Sequence, residues 1–210
     1  VGWEDVELVL GAIVYDFGRR ENAVYPDAEL GRQALRGARE GVFPLGRRGA
    51  GRSVTVGKTF GLESGEFSGQ GGAFRQIGPT RIAVFTVVNA FGAIVDREGN
   101  VVRGHYDAER GTRTPLVEGL EAQLPQAAPG NTTLALVVTN QQLTRRELRQ
   151  LGVQVHASMG RAIQPFHALV DGDVLYTVST NEIANDALPS MALGVVASEL
   201  AWDAVLSCLD

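Results

Sequence analysis

Two β-prone runs alternate with two helical runs in the C-terminal part of the chain, and this order constrains the fold most. In chain order they are a strand over 133–140 ("TLALVVTN"), a helix over 143–163, a strand over 172–180 ("GDVLYTVST") and a helix over 190–209. Thr144 and Glu147 form a capping box that predicts where the first helix begins. The last helix is mostly apolar, which predicts that it is buried. This order predicts a layered α+β sandwich.

The residues before 133 supply further strands and one helix. The predictions are a buried strand over 8–17 ("LVLGAIVYDF"), a helix over 26–40, two buried strands within 81–104 and an exposed connection over 107–130. The helix has proline at its start, acids in its first turn and basic residues later, which suits the helix dipole. Since no internal repeat interrupts the pattern, we expect residues 1–210 to form one domain.

Composition and charge exclude several classes of partner. The net charge is −5 with acids and bases interspersed, which argues against nucleic acid as the main partner. No apolar run approaches the roughly 18–20 residues that a membrane helix needs, so no membrane partner is expected. The single cysteine, Cys208, excludes an internal disulfide, and the default expectation is a cytoplasmic protein.

The glycine-rich loop "GRRGAGRS" (46–53) is a candidate phosphate cradle. The phosphate-loop pattern GxxxxGK[ST] needs a glycine five positions before its second glycine. Lys58 and its two neighbours supply the end of that pattern, but Arg52 stands where the first glycine is needed. Since the pattern is not met, we expect no nucleotide and no other cofactor.

Three histidines and one acidic pair are further candidates. His105, His156 and His167 lack the spacing of metal ligands, and neither HExxH nor CxxC occurs, so no metal is expected. A Ser–His–Asp triad stays open, although the GxSxG elbow is missing. Asp171 and Asp173 in "VDGDV" would leave one face of an extended backbone, where close carboxylates share a proton or orient a nucleophile. The alternative is an Asp-Gly turn with solvated acids.

Thr132 follows Asn131 at a junction between loop and strand in "GNTTLALVVTN". A threonine hydroxyl needs a base beside it, and a threonine that begins a chain carries one, its α-amine with a pKa of about 8. Attack of the Thr132 hydroxyl on the Asn131 carbonyl would break the bond between them and create that terminus. The alternative is a β-prone threonine without a chemical role, and composition alone favours it.

Several motifs in order along the chain resemble one family. "AIVYDF", "GAGRSVTVGK", "VVNAFGAIVDREGNVVRG", "GNTTLALVVTN" and "DGDVLYTVST" resemble segments of the L-aminopeptidase/D-esterase family of self-cleaving N-terminal-nucleophile hydrolases. "VYPD", "GQGGAFR", "VVRGHYDA", "GRAIQPFH" and "ASELAWDAVL" resemble its branch of 6-aminohexanoate-oligomer (nylon-oligomer) hydrolases. The resemblance covers nearly the whole chain, and several ordered motifs are more specific than any single one.

The resemblance implies self-cleavage between Asn131 and Thr132 into residues 1–131 and 132–210, the first of which would be the C-terminal part of an α subunit and the second a β subunit. Thr132 would then be the nucleophile of an amide hydrolase, with a linear ω-amino-acid oligomer as substrate. Peptides with β-amino or D-residues are the nearest alternative. An acyltransferase on the same fold and a non-catalytic assembly module are further alternatives.

The resemblance also implies roles for five other residues. Asp171 and Asp173 match the pair that orients and activates the nucleophile, and a threonine with two aspartates favours the nylon-oligomer branch. Lys58 would stabilise the oxyanion or lower the pKa of the nucleophile's amine. Asn89 matches an oxyanion-hole donor, and Tyr15 matches a tyrosine near the scissile bond.

The fold implied by the resemblance is a four-layer αββα sandwich, usually assembled as a ring of four. Family members carry a longer segment before "AIVYDF", about a hundred residues by comparison with a domain of typical size. That segment supplies strands of the sandwich and part of the substrate cleft. We therefore expect residues 1–210 to lack an N-terminal part of the family fold.

Overall fold

The computed structural model describes residues 10–16, 25–126 and 130–210. The strands are β1 (Thr55–Val56), β2 (Glu66–Phe67), β3 (Gln70–Ile77), β4 (Thr80–Asn89), β5 (Ala93–Val95), β6 (Val101–Arg103), β7 (Tyr106–Asp107), β8 (Thr112–Arg113), β9 (Thr132–Gln141), β10 (Ile163–Gln164) and β11 (Val174–Ile183). The α-helices are α1 (Ala28–Gly37), α2 (Leu116–Ala122), α3 (Arg145–Ser158) and α4 (Ser190–Ser207). Short 3₁₀ turns cover Gly49–Gly51, Leu62–Ser64 and Met159–Arg161.

A four-stranded sheet in the order β11-β9-β4-β3 forms the centre of the molecule. The pairs β3–β4 and β4–β9 are antiparallel, whereas β9 and β11 run parallel. A parallel pair needs a crossover connection, and α3 supplies it. The chain therefore enters β9 and β11 from the same edge of the sheet, where β4 ends.

Helices α3 and α4 cover one face of this sheet and enclose the core. Alternate residues of β4 and β9 are fully buried on that face, among them Val84 and Val137. They belong to one cluster with Leu193 and Leu200 of α4 and Leu151 of α3. Each such side chain contributes about 1.5–3 kcal/mol relative to an exposed position, so the helical layer fixes the sheet that carries the candidate site.

Helix α4 is the one described helix that is long and apolar enough to cross a membrane. The expectation that no apolar run approaches this length is therefore wrong. Helix α4 lies in the core, however, since Leu193, Leu200 and Ala204 are at most 1% exposed and pack with the sheet and α3. Its apolar character reflects burial within the domain, as the sequence predicts.

Gly71 of β3 marks the closest approach between α4 and the sheet. A Cβ atom on Gly71 would overlap the Ala204 carbonyl and lie 2.8 Å from Cys208 N. We expect Gly71→Ala to lower the free energy of unfolding by about 2–4 kcal/mol, because backbone atoms of α4 would have to move. Denaturant unfolding measures the change. Gly160→Ala is the control, because a Cβ atom on Gly160 would meet no packing neighbour within 4 Å. Equal losses of stability in both variants would contradict the explanation by close packing.

The predicted strand over 8–17 is wrong where the structure describes it. Residues 10–16 form no strand, and most of them are exposed; the remaining three positions lie outside the described residues. The segment is held by a side chain instead, since Asn89 Nδ2 donates to Val14 O at 2.7 Å. An apolar run predicts strand propensity, but a strand also needs a neighbour with free backbone groups.

The connection predicted over 107–130 is also partly wrong. It contains β8, which pairs with β7, and the helix α2, while residues 127–129 lie outside the described part of the chain. Strand β3 had no sequence signal, because its glycines lower the strand propensity. The capped helix, the strands before and after it and the last helix occur in the predicted order. The capped helix is shorter than predicted, because α3 ends at Ser158 and Ile163 lies in β10.

Candidate active site

The candidate residues meet at the edge of the sheet where β4 ends and where β9 and β11 begin. Asn89, the last residue of β4, pairs with Thr132, the first residue of β9. In the parallel pair, Val174 is opposite Leu134, so Asp173 precedes β11 at the same edge. Strand register alone therefore brings together residues that are far apart in the sequence.

Thr132 and the carbonyl of Asn131 form the centre of the site. The Thr132 hydroxyl donates to the Asn131 carbonyl oxygen at 2.5 Å, and the Gly172 N–H donates to the same oxygen at 2.9 Å. Both residues are buried. Gly130, just before them, has a φ of 86°, a conformation that glycine adopts without strain. The Asn131 carbonyl is therefore held by the Gly172 N–H on a neighbouring loop. It lies next to the Thr132 hydroxyl, which can attack it.

Lys58 and Asn89 form a buried network beside this carbonyl. Lys58 Nζ donates to Asn89 Oδ1 at 2.9 Å and to Thr55 O at 3.1 Å. Both Lys58 Nζ, at 3.3 Å, and Asn89 Nδ2, at 3.0 Å, also donate to the carbonyl of Gly130. A buried ammonium is tolerated only with such acceptors around it. The network places one cation and one amide donor at the loop that precedes Thr132.

Tyr15 lies against the same loop. Its carbonyl accepts a hydrogen bond from Asn89 Nδ2 at 3.3 Å, and its ring packs so close to Gly130 that a Cβ there would lie 2.8 Å from Tyr15 Cδ1. The structure therefore places Tyr15 near the bond between Asn131 and Thr132, where the resemblance predicted it.

Asp171 and Asp173 are buried, so the alternative of solvated acids in a turn is wrong. Asp173 Oδ1 accepts from Thr133 N at 2.7 Å, and Asp173 Oδ2 accepts from His167 N at 2.9 Å. Asp171 Oδ2 accepts from Phe91 N at 3.0 Å. These backbone donors orient both carboxyl groups within the site.

The environment of Asp171 favours its neutral form. Burial and then the negative charge of Asp173 raise the pKa of Asp171 to about 7, and a hydrogen bond with the Asp173 carboxyl acts in the same direction. The Phe91 N–H and the charge of Lys58 oppose the shift without cancelling it. A carboxyl group that titrates near neutral pH is suited to transfer protons.

This raised pKa predicts a pH-dependent stability. Since Asp171 binds its proton more tightly in the folded state, its contribution is present below the pKa of the unfolded chain and is lost as pH rises through about 7. Between about pH 5 and pH 8 the loss amounts to at most about 3 kcal/mol. Asp171→Asn is expected to remove this loss, as measured by denaturant unfolding at both pH values.

Asp96 offers the matched control, because its carboxyl pKa is lowered, chiefly by a hydrogen bond with Asn100. Asp96→Asn should leave the loss of stability between about pH 5 and pH 8 unchanged. Parallel pH profiles for the wild type and Asp171→Asn would contradict the assignment of the raised pKa to Asp171.

The other sequence candidates lie away from this centre or serve the fold. In the glycine-rich loop, Gly51 packs against the backbone of β3, where a Cβ would not fit. His105 is buried, its Nε2 lies 3.0 Å from Thr59 Oγ1, and burial lowers its pKa to about 4. Within the described residues no group of three side chains is placed to hold a metal ion.

Three site groups had no usable sequence signal. The N–H groups of Phe91 and Gly172 act through the backbone, which every residue shares. The sequence offers His167 as a metal ligand or a triad member, whereas the structure places it against Asp173. Only the proximity of His167 to the acidic motif in the sequence hinted at this contact.

The fold is similar to that of solved aminopeptidases. The L-aminopeptidase D-Ala-esterase/amidase from Ochrobactrum anthropi, described as a variant of the Ntn hydrolase fold, matches with a TM-score of 0.56 at 18% identity, over 84% of this chain and 47% of that one. A Burkholderia sp. β-aminopeptidase matches with a TM-score of 0.58 at 18% identity, over 88% and 51%. These similarities confirm the predicted α+β fold of the N-terminal-nucleophile-hydrolase type.

The sequence is similar to that of two 6-aminohexanoate-oligomer endohydrolases. The one from Paenarthrobacter ureafaciens is 47% identical, and the one from Kocuria sp. (strain KY2) is 46% identical. Each match covers 98% of this chain and 62% of the relative, so the chain spans less than two thirds of their length. The profile of Peptidase family S58 matches residues 8–208, which confirms the resemblance predicted from the motifs: the chain belongs to Peptidase family S58.

Proposed function

We propose that this chain is part of a self-cleaving amide hydrolase that acts on linear amide oligomers such as 6-aminohexanoate oligomers, with Thr132 as its nucleophile. The observation that carries the proposal is the contact of the Thr132 hydroxyl with the Asn131 carbonyl, which Gly172 N–H also holds. The names and identities of the similar endohydrolases support the substrate class. The products of self-cleavage would be residues 1–131 and 132–210.

Self-cleavage begins when Thr132 Oγ1 attacks the Asn131 carbonyl carbon. The hydroxyl proton passes to the departing Thr132 nitrogen, the peptide bond breaks, and an ester forms between the Asn131 acyl group and Oγ1. The Gly172 N–H stabilises the negative charge that develops on the carbonyl oxygen. Water then hydrolyses the ester, which leaves a carboxylate on Asn131 and a free α-amine and hydroxyl on Thr132.

The same hydroxyl then attacks the substrate amide. The Thr132 α-amine accepts its proton, and the protonated amine later gives a proton to the leaving amine of the substrate. Lys58 and Asn89, which hold the Gly130 carbonyl in the uncut chain, become donors for the substrate oxyanion after the loop moves. Losing such a donor costs about 3–4 kcal/mol of barrier stabilisation. Water finally releases the acyl group as an acid.

Hydrolysis of a linear 6-aminohexanoate oligomer, followed by chromatography and mass spectrometry, tests this function. A β-amino-acid peptide and D-alanine amide are incubated in parallel, with a second amine present in one series. We expect cleavage of internal amide bonds of the oligomer and free acid as the main product. Faster cleavage of the peptide or the D-amide would indicate an aminopeptidase or amidase, and an amide with the added amine would indicate an acyltransferase. Absence of turnover on every substrate would contradict the proposal.

Assembly of four cleaved units and a cytoplasmic location remain predictions from the sequence. Light scattering of the purified protein tests the first.

A further inference from the structure

Both the backbone and the ring of His167 lie close to the Asp173 carboxylate. Its backbone N–H donates to Asp173 Oδ2 at 2.9 Å, and its ring Nδ1 lies 3.9 Å from the same oxygen. His167 has a φ of 54°, in the left-handed region that non-glycine residues seldom occupy. Such a conformation persists only where the surrounding structure holds it. Here it directs both the N–H and the ring of one residue at one carboxylate oxygen.

The ring of His167 faces a cleft of about 870 Å³ between α3 and β11. His156 packs edge-on against it with ring centroids 4.6 Å apart, and the Phe166 ring lies 6.0 Å away. The titratable and charged groups around this ring are Asp173 on the side of β11 and His156 and Arg149 on α3. The His167 side chain is 56% exposed, whereas that of Asp173 is fully buried, so the ring connects solvent with the buried carboxylate.

The groups around the His167 ring affect the pKa of His156. Burial lowers the pKa of His156, the positive charge of His167 lowers it further, and the negative charge of Asp173 opposes both. His156 is therefore close enough to respond to the charges of His167 and Asp173, and all three residues line the same cleft.

The two carboxyl groups of the site have unequal partners. Asp173 accepts one N–H on each oxygen, from Thr133 and from His167. Asp171 accepts one N–H, from Phe91, and its buried Oδ1 accepts none from any described residue. Donors on both oxygens favour an ionised carboxylate, and Asp171 has such a donor on one oxygen only.

We propose that His167 is a positioning residue that keeps Asp173 ionised, so that the proton shared by the acidic pair resides on Asp171. The His167 N–H fixes the Asp173 carboxylate, and the ring adds positive charge when it is protonated. A neutral Asp171 then has a proton to give during the reaction. Only the kinetic part of the test below rests on the proposed hydrolase function.

Infrared titration of the carboxylic-acid C=O band tests where the proton lies without any need for activity. Difference spectra are taken against the double variant Asp171→Asn/Asp173→Asn, which lacks both acids. At about pH 6 we expect the carboxylic-acid C=O band to be absent in Asp171→Asn and present in Asp173→Asn. Adding His167→Asn to Asp171→Asn should make the band appear about half a unit to one unit higher in pH, since an opposite charge within about 4–6 Å is lost.

Asparagine is chosen at position 167 because it tolerates the left-handed conformation. A protonated band at about pH 6 in Asp171→Asn would place the proton on Asp173 and overturn the proposal. So would an unchanged titration after His167→Asn, provided that circular dichroism shows a folded protein. Arg149→Gln, which removes a cation from the same cleft, should shift the band far less than His167→Asn; an equal shift would show a general charge effect and overturn the role of His167.

Kinetics provide the second readout. In the single variant His167→Asn, the acid limb of kcat against pH should move upward by the same half unit to one unit, with KM unchanged. A merely structural role would lower kcat equally at every pH, and that result would overturn the proposal. If the wild type shows no hydrolysis, the proposed function fails, while the infrared titration still decides where the proton lies.

Discussion

Thr132→Ala is expected to abolish both self-cleavage and amide hydrolysis. The variant lacks the hydroxyl that contacts the Asn131 carbonyl in the wild type, so no ester can form and no new chain terminus appears. Hydrolysis of a 6-aminohexanoate oligomer should fall to the rate without enzyme, because both the nucleophile and its amine base depend on this residue. Electrophoresis and a product assay on the same sample measure the two effects.

Thr132→Ser is the control, since serine keeps the hydroxyl at the same position. It should still cleave itself and retain measurable hydrolysis. Turnover by Thr132→Ala comparable to that of the wild type would show that another residue is the nucleophile.

Asp173→Ala is expected to lower kcat by about 10²–10⁴-fold, the contribution typical of a positioned acid or base. The fold should persist, although the buried N–H of Thr133 loses its acceptor, which costs about 1–3 kcal/mol, and the more exposed N–H of His167 also loses its acceptor. Steady-state kinetics at several pH values, with circular dichroism to confirm folding, measure the effect.

Asp96→Ala is the matched control, because Asp96, like Asp173, is a carboxylate that accepts backbone hydrogen bonds. Asp96 accepts hydrogen bonds from Glu98 N and Asn100 N in the hairpin between β5 and β6, outside the site. Its loss should leave kcat near the wild-type value. Nearly full turnover in Asp173→Ala would show that the acidic pair is misassigned.

The sequence predicts the elements of this fold where their signals are local. The capping box of Thr144 and Glu147 occurs at the start of α3 as expected, with Thr144 N donating to Glu147 Oε2 at 2.9 Å. Residues 10–16 show the opposite case, because strand formation depends on a neighbour that the local pattern does not specify. Gly71 in β3 likewise lowers strand propensity locally and is required by the contact with Ala204.

The candidate site could be predicted as a set of residues but not as a geometry. The sequence motifs identify Thr132, Asn89 and Lys58 as candidates. Strand register then pairs Thr132 with Asn89. The chemistry of Asp171 depends on burial and on the Phe91 N–H, neither of which a sequence motif specifies. Side-chain identity is therefore readable from the chain, whereas its protonation state depends on how the strands and loops meet.

Intact-mass analysis of the purified wild-type protein under denaturing conditions tests whether the chain cleaves itself before Thr132. We expect two polypeptides, one ending at Asn131 and one beginning at Thr132, whose masses sum to that of the 22.4 kDa chain plus one water. The second polypeptide should carry a free α-amine on Thr132. A single uncut chain in a preparation that hydrolyses amide oligomers would contradict the claim that Thr132 acts as an N-terminal nucleophile.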